Sequence, residues 1–149
     1  MKHEFLKHLK ADHDEQKQLG KRMAEATAPG ERKRLRRKFH DSLYPHLVGE
    51  EASIFKRLQQ VDDEEAKKDC LENLREHREA MIALRELMAI EPGSDVFQDK
   101  AKALDGLNRH HIEHEEGKTF GHLERLFDRQ ELDRLFAQYE ASEEGKPKF

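Results

Sequence analysis

The sequence predicts an all-α protein, an up-down-up-down four-helix bundle followed by a short fifth helix. Of its 149 residues, 40% are charged and 35% are hydrophobic, a balance typical of long amphipathic helices and unlike that of sheets. Apolar residues recur with the helical period, and proline and glycine separate the periodic stretches. The length suits one domain, and we assign residues 1–141 to the bundle and 142–149 to a flexible C-terminal tail.

A strong break separates the first two predicted helices. Helical periodicity runs from about Glu4 to Glu25 and stops before the sequence Ala28-Pro29-Gly30. The second helix is predicted from about Glu31 to Gln60. Pro45 lies inside it and is expected to kink or split it, since an interior proline removes a backbone hydrogen bond at a cost of about 3 kcal/mol.

Acidic and capping residues mark the starts of the remaining helices. Asp62-Asp63-Glu64-Glu65 suits the first turn of a third helix, which ends before Pro92-Gly93. Ser94 is a candidate cap for the fourth helix, and Asp128, with Glu131 three residues later, is a candidate cap for the fifth. Because short connections make successive helices antiparallel, the pattern predicts an up-down-up-down bundle.

Composition argues against several classes of partner and site. The formal net charge of -4 gives no general attraction to nucleic acid or anionic lipid. No apolar run approaches the roughly 18 residues that span a bilayer, and the N-terminal sequence lacks the apolar segment of a secretory signal. The single cysteine, Cys70, excludes a disulfide framework and a cysteine-based metal site. We expect a soluble, cytoplasmic protein that binds neither nucleic acid nor membrane; the sequence leaves its oligomeric state open.

The most informative feature is a motif that occurs twice, His-x-x-x-Glu-Glu-x-x-x-Phe. It begins at His46 and again at His111, an offset of 65 residues. The pairs Asp12-His13 and Glu76-His77 repeat with an offset of 64. Since the two offsets agree to one residue, the chain reads as a helical hairpin used twice.

The repeated residue types at this spacing predict a metal site. Histidine and glutamate four residues apart on a helix point the same way, so each motif offers two ligands from one helix, and the adjacent antiparallel helices add one histidine each. A carboxylate can bridge two ions whereas an imidazole cannot, so Glu50 and Glu115 are assigned as bridges. Imidazole nitrogen and carboxylate oxygen suit iron, and zinc or manganese as alternatives. The predicted metal ligands are His13, His46, Glu50, His77, His111 and Glu115.

Neighbouring side chains carry weaker predictions. Glu51 and Glu116 are rotated by about 100° from the bridges, so they either face solvent or accept the spare N–H of a ligand imidazole. His110 or His114 could add a ligand, and His40 could line the pocket.

The arrangement resembles the hemerythrin family, specifically the hemerythrin-like HHE cation-binding domains, from His13 to about Phe127. The resemblance implies a non-haem di-iron site, bridged by two carboxylates and an oxo or hydroxo group, with an open position for O2 or another small ligand. The family's ligands then fall on the six predicted residues. Two positions differ from the oxygen-carrying hemerythrins: Asn73 stands where they have a further histidine, and Glu115 follows His111 by four residues where they have an aspartate five residues on. Both differences point away from a dedicated oxygen carrier.

Three functions are compatible with these observations. The first is a non-haem di-iron-binding hemerythrin-like protein that binds or senses O2, NO or iron, since the imidazole-rich ligand set is poorer in charge than those of carboxylate-rich oxidases. The alternative is a di-iron enzyme acting on peroxide or NO, or in iron mobilisation or repair, although no separate general base, nucleophile or cofactor motif is evident in the sequence. The third is a metal-free helical interaction module, for which the chain offers only ordinary amphipathic faces.

Overall fold

The computed structural model describes residues 2–144, and over that range it contains five helices and no strand. The all-α prediction is confirmed. Within the same range, no helix is both long and apolar enough to cross a membrane. The helices are α1, Glu4–Glu25; α2, made of Pro29–Glu50, a π-helical turn Glu51–Phe55 and a last turn Lys56–Leu58; α3, Glu64–Met88; α4, made of Phe97–His114, a π-helical turn Glu115–Thr119 and Phe120–Leu126; and α5, Arg129–Glu144.

The first four helices pack as the predicted bundle. α1 packs along both α2 and α4, and α3 packs along α4, while α2 and α3 touch over a shorter stretch. Each helix therefore buries its apolar stripe against its neighbours along the chain, and α1 also packs against α4. α5 lies against α2, including its π-helical turn, and also reaches α1.

Asp63, predicted within the acidic first turn of α3, is its N-cap, and Asp128 occupies the cap position predicted for α5. The side chains of Asp63 and Asp128 each accept a backbone N–H three residues further on, both at 2.9 Å. The hydroxyl of Ser94 accepts the N–H of Val96 at 3.3 Å, within the turn that precedes the start of α4 at Phe97. Ser94 thus stabilises the turn before α4 and does not cap the helix itself.

Pro45 does not split α2, because the helix continues through it to Glu50. Leu43 and Leu47, on either side of Pro45, are completely buried, and this packing compensates for the one backbone hydrogen bond that proline removes. The irregular turn of α2 comes later, at Glu51–Phe55, where the backbone widens into a π-helix.

The fifth helix is longer than predicted. It spans 16 residues and continues to Glu144, so the first three residues of the predicted tail are helical. Its apolar face, which includes Leu132, Leu135 and Tyr139, is buried, so tertiary packing stabilises the helix. The rest of the predicted tail, 145–149, lies outside the described residues.

The apolar core consists of two clusters with a buried polar layer between them. One cluster includes Phe5, Phe55 and Phe120, and the other is built around Phe39 and Phe97. Buried polar and charged side chains lie between the clusters, at the level of the repeated motif. All six predicted metal ligands belong to this polar layer: His13, His46, Glu50, His77, His111 and Glu115.

Gly49 allows α5 to approach α2 closely. A Cβ at this position would lie 2.7 Å from the ring of Tyr139, so the replacement Gly49→Ala should lower the free energy of unfolding by about 1–3 kcal/mol. Gly106→Ala is the matched control: it lies within α4 with open space around it and should raise the free energy of unfolding by about 0.5–1 kcal/mol. Urea denaturation of both variants measures the difference, and equal effects would contradict this close contact.

Candidate metal centre

The structure brings all six predicted ligands together inside the bundle. None of their side chains is more than 2% exposed. They form two groups that share Glu50 and Glu115. We refer to His13 and His46 as the first half-site, and to His77 and His111 as the second half-site.

Glu50 directs one carboxylate oxygen toward each half-site. Its Oε2 lies 3.4 Å from Nε2 of His46, and its Oε1 lies 3.2 Å from Nε2 of His77. Donor atoms about 3 Å apart match neighbouring ligands at right angles around one ion with bonds of about 2.1 Å. The side chain therefore has the geometry of a bridge between two ion positions.

Glu115 is arranged in the same way from the opposite motif. Its Oε1 lies 3.2 Å from Nε2 of His13, and its Oε2 lies 3.2 Å from Nε2 of His111. Within the second half-site, the Nε2 atoms of His77 and His111 are 3.0 Å apart, again the spacing of two donors on one ion.

Several donor atoms in this cluster are buried without a hydrogen-bond partner among residues 2–144. They are Nε2 of His13, Nε2 of His46 and both carboxylate oxygens of Glu50 and Glu115. Burying a carboxylate without compensation costs several kcal/mol, so this arrangement favours positive charge beside the glutamates, either protonated imidazoles or bound metal ions. Imidazole nitrogens and carboxylate oxygens that converge on two points fit a pair of transition-metal ions.

Each of the four imidazoles is held from behind by a carboxylate at Nδ1. With the proton fixed on Nδ1, the lone pair of Nε2 faces the centre of the bundle, which is the orientation that a metal ligand needs. We call these partners the outer carboxylates. The pairs are His13 with Glu116 at 2.7 Å, His46 with Asp12 at 3.0 Å, His77 with Glu51 at 2.9 Å, and His111 with Glu76 at 2.8 Å.

The outer carboxylates include two predicted residues and two that the sequence analysis missed. Glu51 and Glu116 accept an imidazole N–H, which was the second of the two alternatives considered for them. Asp12 and Glu76 received no role in the sequence analysis, yet they hold the histidines of the two motifs. Their signal was present, because each precedes a predicted histidine ligand at the same repeated position.

A π-helical turn lies at each bridging glutamate. The turn in α2 follows Glu50 directly, and the turn in α4 begins at Glu115. A π-helical turn inserts an extra residue into the helix and is common at functional sites. The hydroxyl of Ser53 donates to the carbonyl of Gly49 at 2.7 Å and so supports the widened backbone in α2.

The last residue of each motif covers an imidazole from another helix. The ring of Phe55 contacts the ring of His77 edge-on, with centroids 5.1 Å apart. The ring of Phe120 is stacked on that of His13, with centroids 6.1 Å apart. Both phenylalanines are buried, so they place apolar surface next to the predicted ligands.

The carboxylates dominate the electrostatics of the centre. Burial alone would lower the pKa of His46, but the charges of Glu50 and Asp12 outweigh it and raise this pKa to about 10. Burial also opposes the charged form of His111, yet Glu115 and neighbouring carboxylates raise its pKa well above the usual range. The surplus of negative charge that holds protons on these imidazoles also attracts metal cations.

The other candidate histidines lie outside the two half-sites. Nδ1 of His114 is 2.8 Å from Oε1 of Glu76, and its Nε2 is hydrogen-bonded to Asp69, so it supports an outer carboxylate. His110 is largely exposed. His40 lines a cavity of about 460 Å³ between α2 and α3, which none of the six predicted ligands lines.

Comparison with known proteins agrees with the site. A family model described as the hemerythrin HHE cation-binding domain matches residues 4–123, a range that contains α1 to most of α4 and all six predicted ligands. No curated protein and no solved structure gives a significant match. The family match covers well over half of the chain, and the paired histidine and glutamate groups fit a metal site. The chain therefore belongs to the hemerythrin family and is a metal-binding HHE domain.

Proposed function

We propose that this protein holds two iron ions through the six predicted ligands and binds or senses O2, NO or iron. One observation carries the proposal: Glu50 and Glu115 each present one buried, unsatisfied oxygen to either half-site. An ion at either half-site would therefore have four protein donors, two imidazole nitrogens and two carboxylate oxygens. Two ions, one per half-site, would satisfy every one of these atoms.

The number of protein donors favours iron over zinc. Four donors would complete the tetrahedral shell typical of a structural zinc site and would close it. The same four donors leave positions open on an ion that prefers a larger shell, as iron and manganese do. When bound, the two iron ions would supply a redox-active Lewis-acid centre with positions for a small exogenous ligand.

The surroundings favour a small, uncharged ligand. The half-sites are enclosed between two apolar clusters, and Phe55 and Phe120 lie directly on the imidazoles. Transfer of a charged substrate into such a site would require desolvation that O2 and NO avoid. The outer carboxylates keep the imidazoles oriented without occupying the inner positions.

Anaerobic reconstitution with Fe(II), followed by metal analysis and stopped-flow mixing with O2 and with NO, tests the proposal. We expect two iron ions per chain and an optical change with at least one of the two gases. Failure to bind two ions, or complete inertness toward both gases, would contradict the corresponding part of the proposal. Turnover of peroxide or NO above that of free iron would instead support the enzyme alternative.

Replacing a bridge should affect both ions. Glu50→Gln keeps the size of the side chain but removes its charge, so it should weaken metal binding by more than the roughly 10–100-fold typical of losing an outer partner. The iron content after desalting measures this loss. Glu124→Gln, an exposed position on α4, should retain the wild-type iron content.

Replacing an outer carboxylate should have a smaller effect. Glu116→Gln weakens the acceptor at Nδ1 of His13 and should lower the metal affinity by about 10–100-fold, measured by competition with a chelator. Glu113→Gln, exposed on the same helix, is the control and should leave the affinity unchanged. Equal affinities for the two variants would mean that the carboxylate does not support the ligand.

Metal binding should release protons at neutral pH. In the metal-free protein the pKa of His46 is raised from 6.5 to about 10, so this imidazole carries a second proton at neutral pH. That proton must leave Nε2 before Nε2 can bind a metal, while the N–H of Nδ1 stays on Asp12. The apparent affinity should therefore increase as the pH rises toward 10. The stabilisation of the metal-free fold by this protonated imidazole is complete below about 6.5 and is lost as the pH rises through about 10.

Calorimetry of metal binding in two buffers with different protonation enthalpies counts the released protons. A heat that is independent of the buffer at neutral pH would contradict a protonated metal-free site.

A further inference from the structure

The two half-sites have equivalent ligands, each with an outer carboxylate, but different surroundings. The offset of 65 that relates the two motifs pairs Gly49 on α2 with His114 on α4. In the second half-site, the ring of His114 contacts the outer carboxylate Glu76. In the first half-site, Gly49 has no side chain, and the ring of Tyr139 from α5 lies against it.

Tyr139 reaches the first half-site directly. Its side chain is completely buried, and its hydroxyl donates to Oδ2 of Asp12 at 2.8 Å. The same hydroxyl oxygen lies 3.0 Å from Nδ1 of His46, whose N–H also points to Oδ2 of Asp12. The imidazole N–H of His46 is therefore held between a carboxylate and a phenol.

The corresponding place in the second half-site belongs to a charged network. His114 lies between Glu76 and Asp69 and is hydrogen-bonded to both carboxylates. The other oxygen of Asp69 accepts from the hydroxyl of Thr119 at 2.7 Å, and Asn73 donates to Thr119 at 2.9 Å. Asn73, which replaces a histidine of the oxygen-carrying hemerythrins, is thus part of this network.

Tyr139 lies outside the range that the family model matches, whereas the residues that it contacts, Asp12 and His46, lie inside that range. The family model ends at residue 123, whereas α5 begins at Arg129. The family match therefore does not include the residue that places a phenol next to His46. Aromatic contacts between Phe5 and both Phe136 and Tyr139 fix α5 against the bundle.

We propose that α5 is part of the metal centre and that Tyr139 is a positioning residue that makes the two ion positions unequal. The inference rests on the proposed two-ion function. A carboxylate behind a ligand imidazole orients the ring and increases its donor strength. In the first half-site the phenol shares the oxygen of Asp12 that accepts from His46, while in the second half-site Glu76 shares its oxygen with His114. The first half-site thus has a neutral phenol beside its outer carboxylate, whereas the second has an imidazole that is itself paired with Asp69. We expect this difference to make the donor strengths of His46 and His111 unequal.

Tyr139→Phe provides the direct test, because it removes one oxygen atom and keeps the ring. Stepwise anaerobic titration with Fe(II) gives the two affinities, and Mössbauer spectra of the loaded protein resolve the two ion environments. We expect two different environments in the wild-type protein. In Tyr139→Phe, one affinity should fall by about tenfold and only one of the two Mössbauer components should change.

Two further variants separate positioning from general packing. Phe136→Leu alters α5 through its contact with Phe5 but removes no polar contact at the site, so both affinities should stay at the wild-type values. His114→Gln should change the Mössbauer component that Tyr139→Phe leaves unchanged.

The outcomes distinguish this inference from the proposed function. A wild-type protein that fails to take up two ions would refute the proposed function, and this inference with it. Two bound ions that both ignore Tyr139→Phe would refute the inference alone, as would equal losses at both ions in Tyr139→Phe and Phe136→Leu.

Discussion

Each of the four inner imidazoles is hydrogen-bonded at Nδ1 to a carboxylate from another helix, and these hydrogen bonds determine how the helices meet at the polar layer. Four buried histidines that direct Nε2 toward one centre need acceptors for the N–H at Nδ1, because an unpaired buried N–H costs free energy. The chain supplies the acceptors in a crossed pattern: each motif's second glutamate holds a histidine of α1 or α3, and the acid beside that histidine holds a motif histidine. Every adjacent pair of the four bundle helices is therefore joined by a hydrogen bond in the polar layer as well as by apolar packing.

The apolar clusters and the π-helical turns serve this arrangement. Buried leucine and phenylalanine side chains on both sides of the polar layer pack closely and so fix the distances between the helices. The two π-helical turns change the register of α2 and α4 at the bridging glutamates, so the residues after them face other neighbours than a regular helix would allow. Phe55 and Phe120 reach the imidazoles of His77 and His13 in this altered register.

Much of the fold followed from local patterns, whereas several parts of the site did not. The limits of α1, the acidic start of α3 and the cap Asp128 depend on residues close in sequence, and these predictions were correct. The π-helical turns were missed because helical periodicity assumes a constant 100° per residue. The hydrogen bonds of Tyr139 to Asp12 and His46 were not predicted, because they depend on how α5 docks across α2. The convergence of the six predicted ligands was predictable because the repeat encodes it twice.

A core that is divided by a charged layer can unfold in parts. Among the described residues, the buried apolar side chains form two separate clusters on either side of the layer of histidines and acids, so each end is a candidate for separate local opening. Divalent ions clasped by side chains from four helices would join the two ends into one cooperative unit. Binding of metal ions would then determine whether the two ends of the core unfold separately or together.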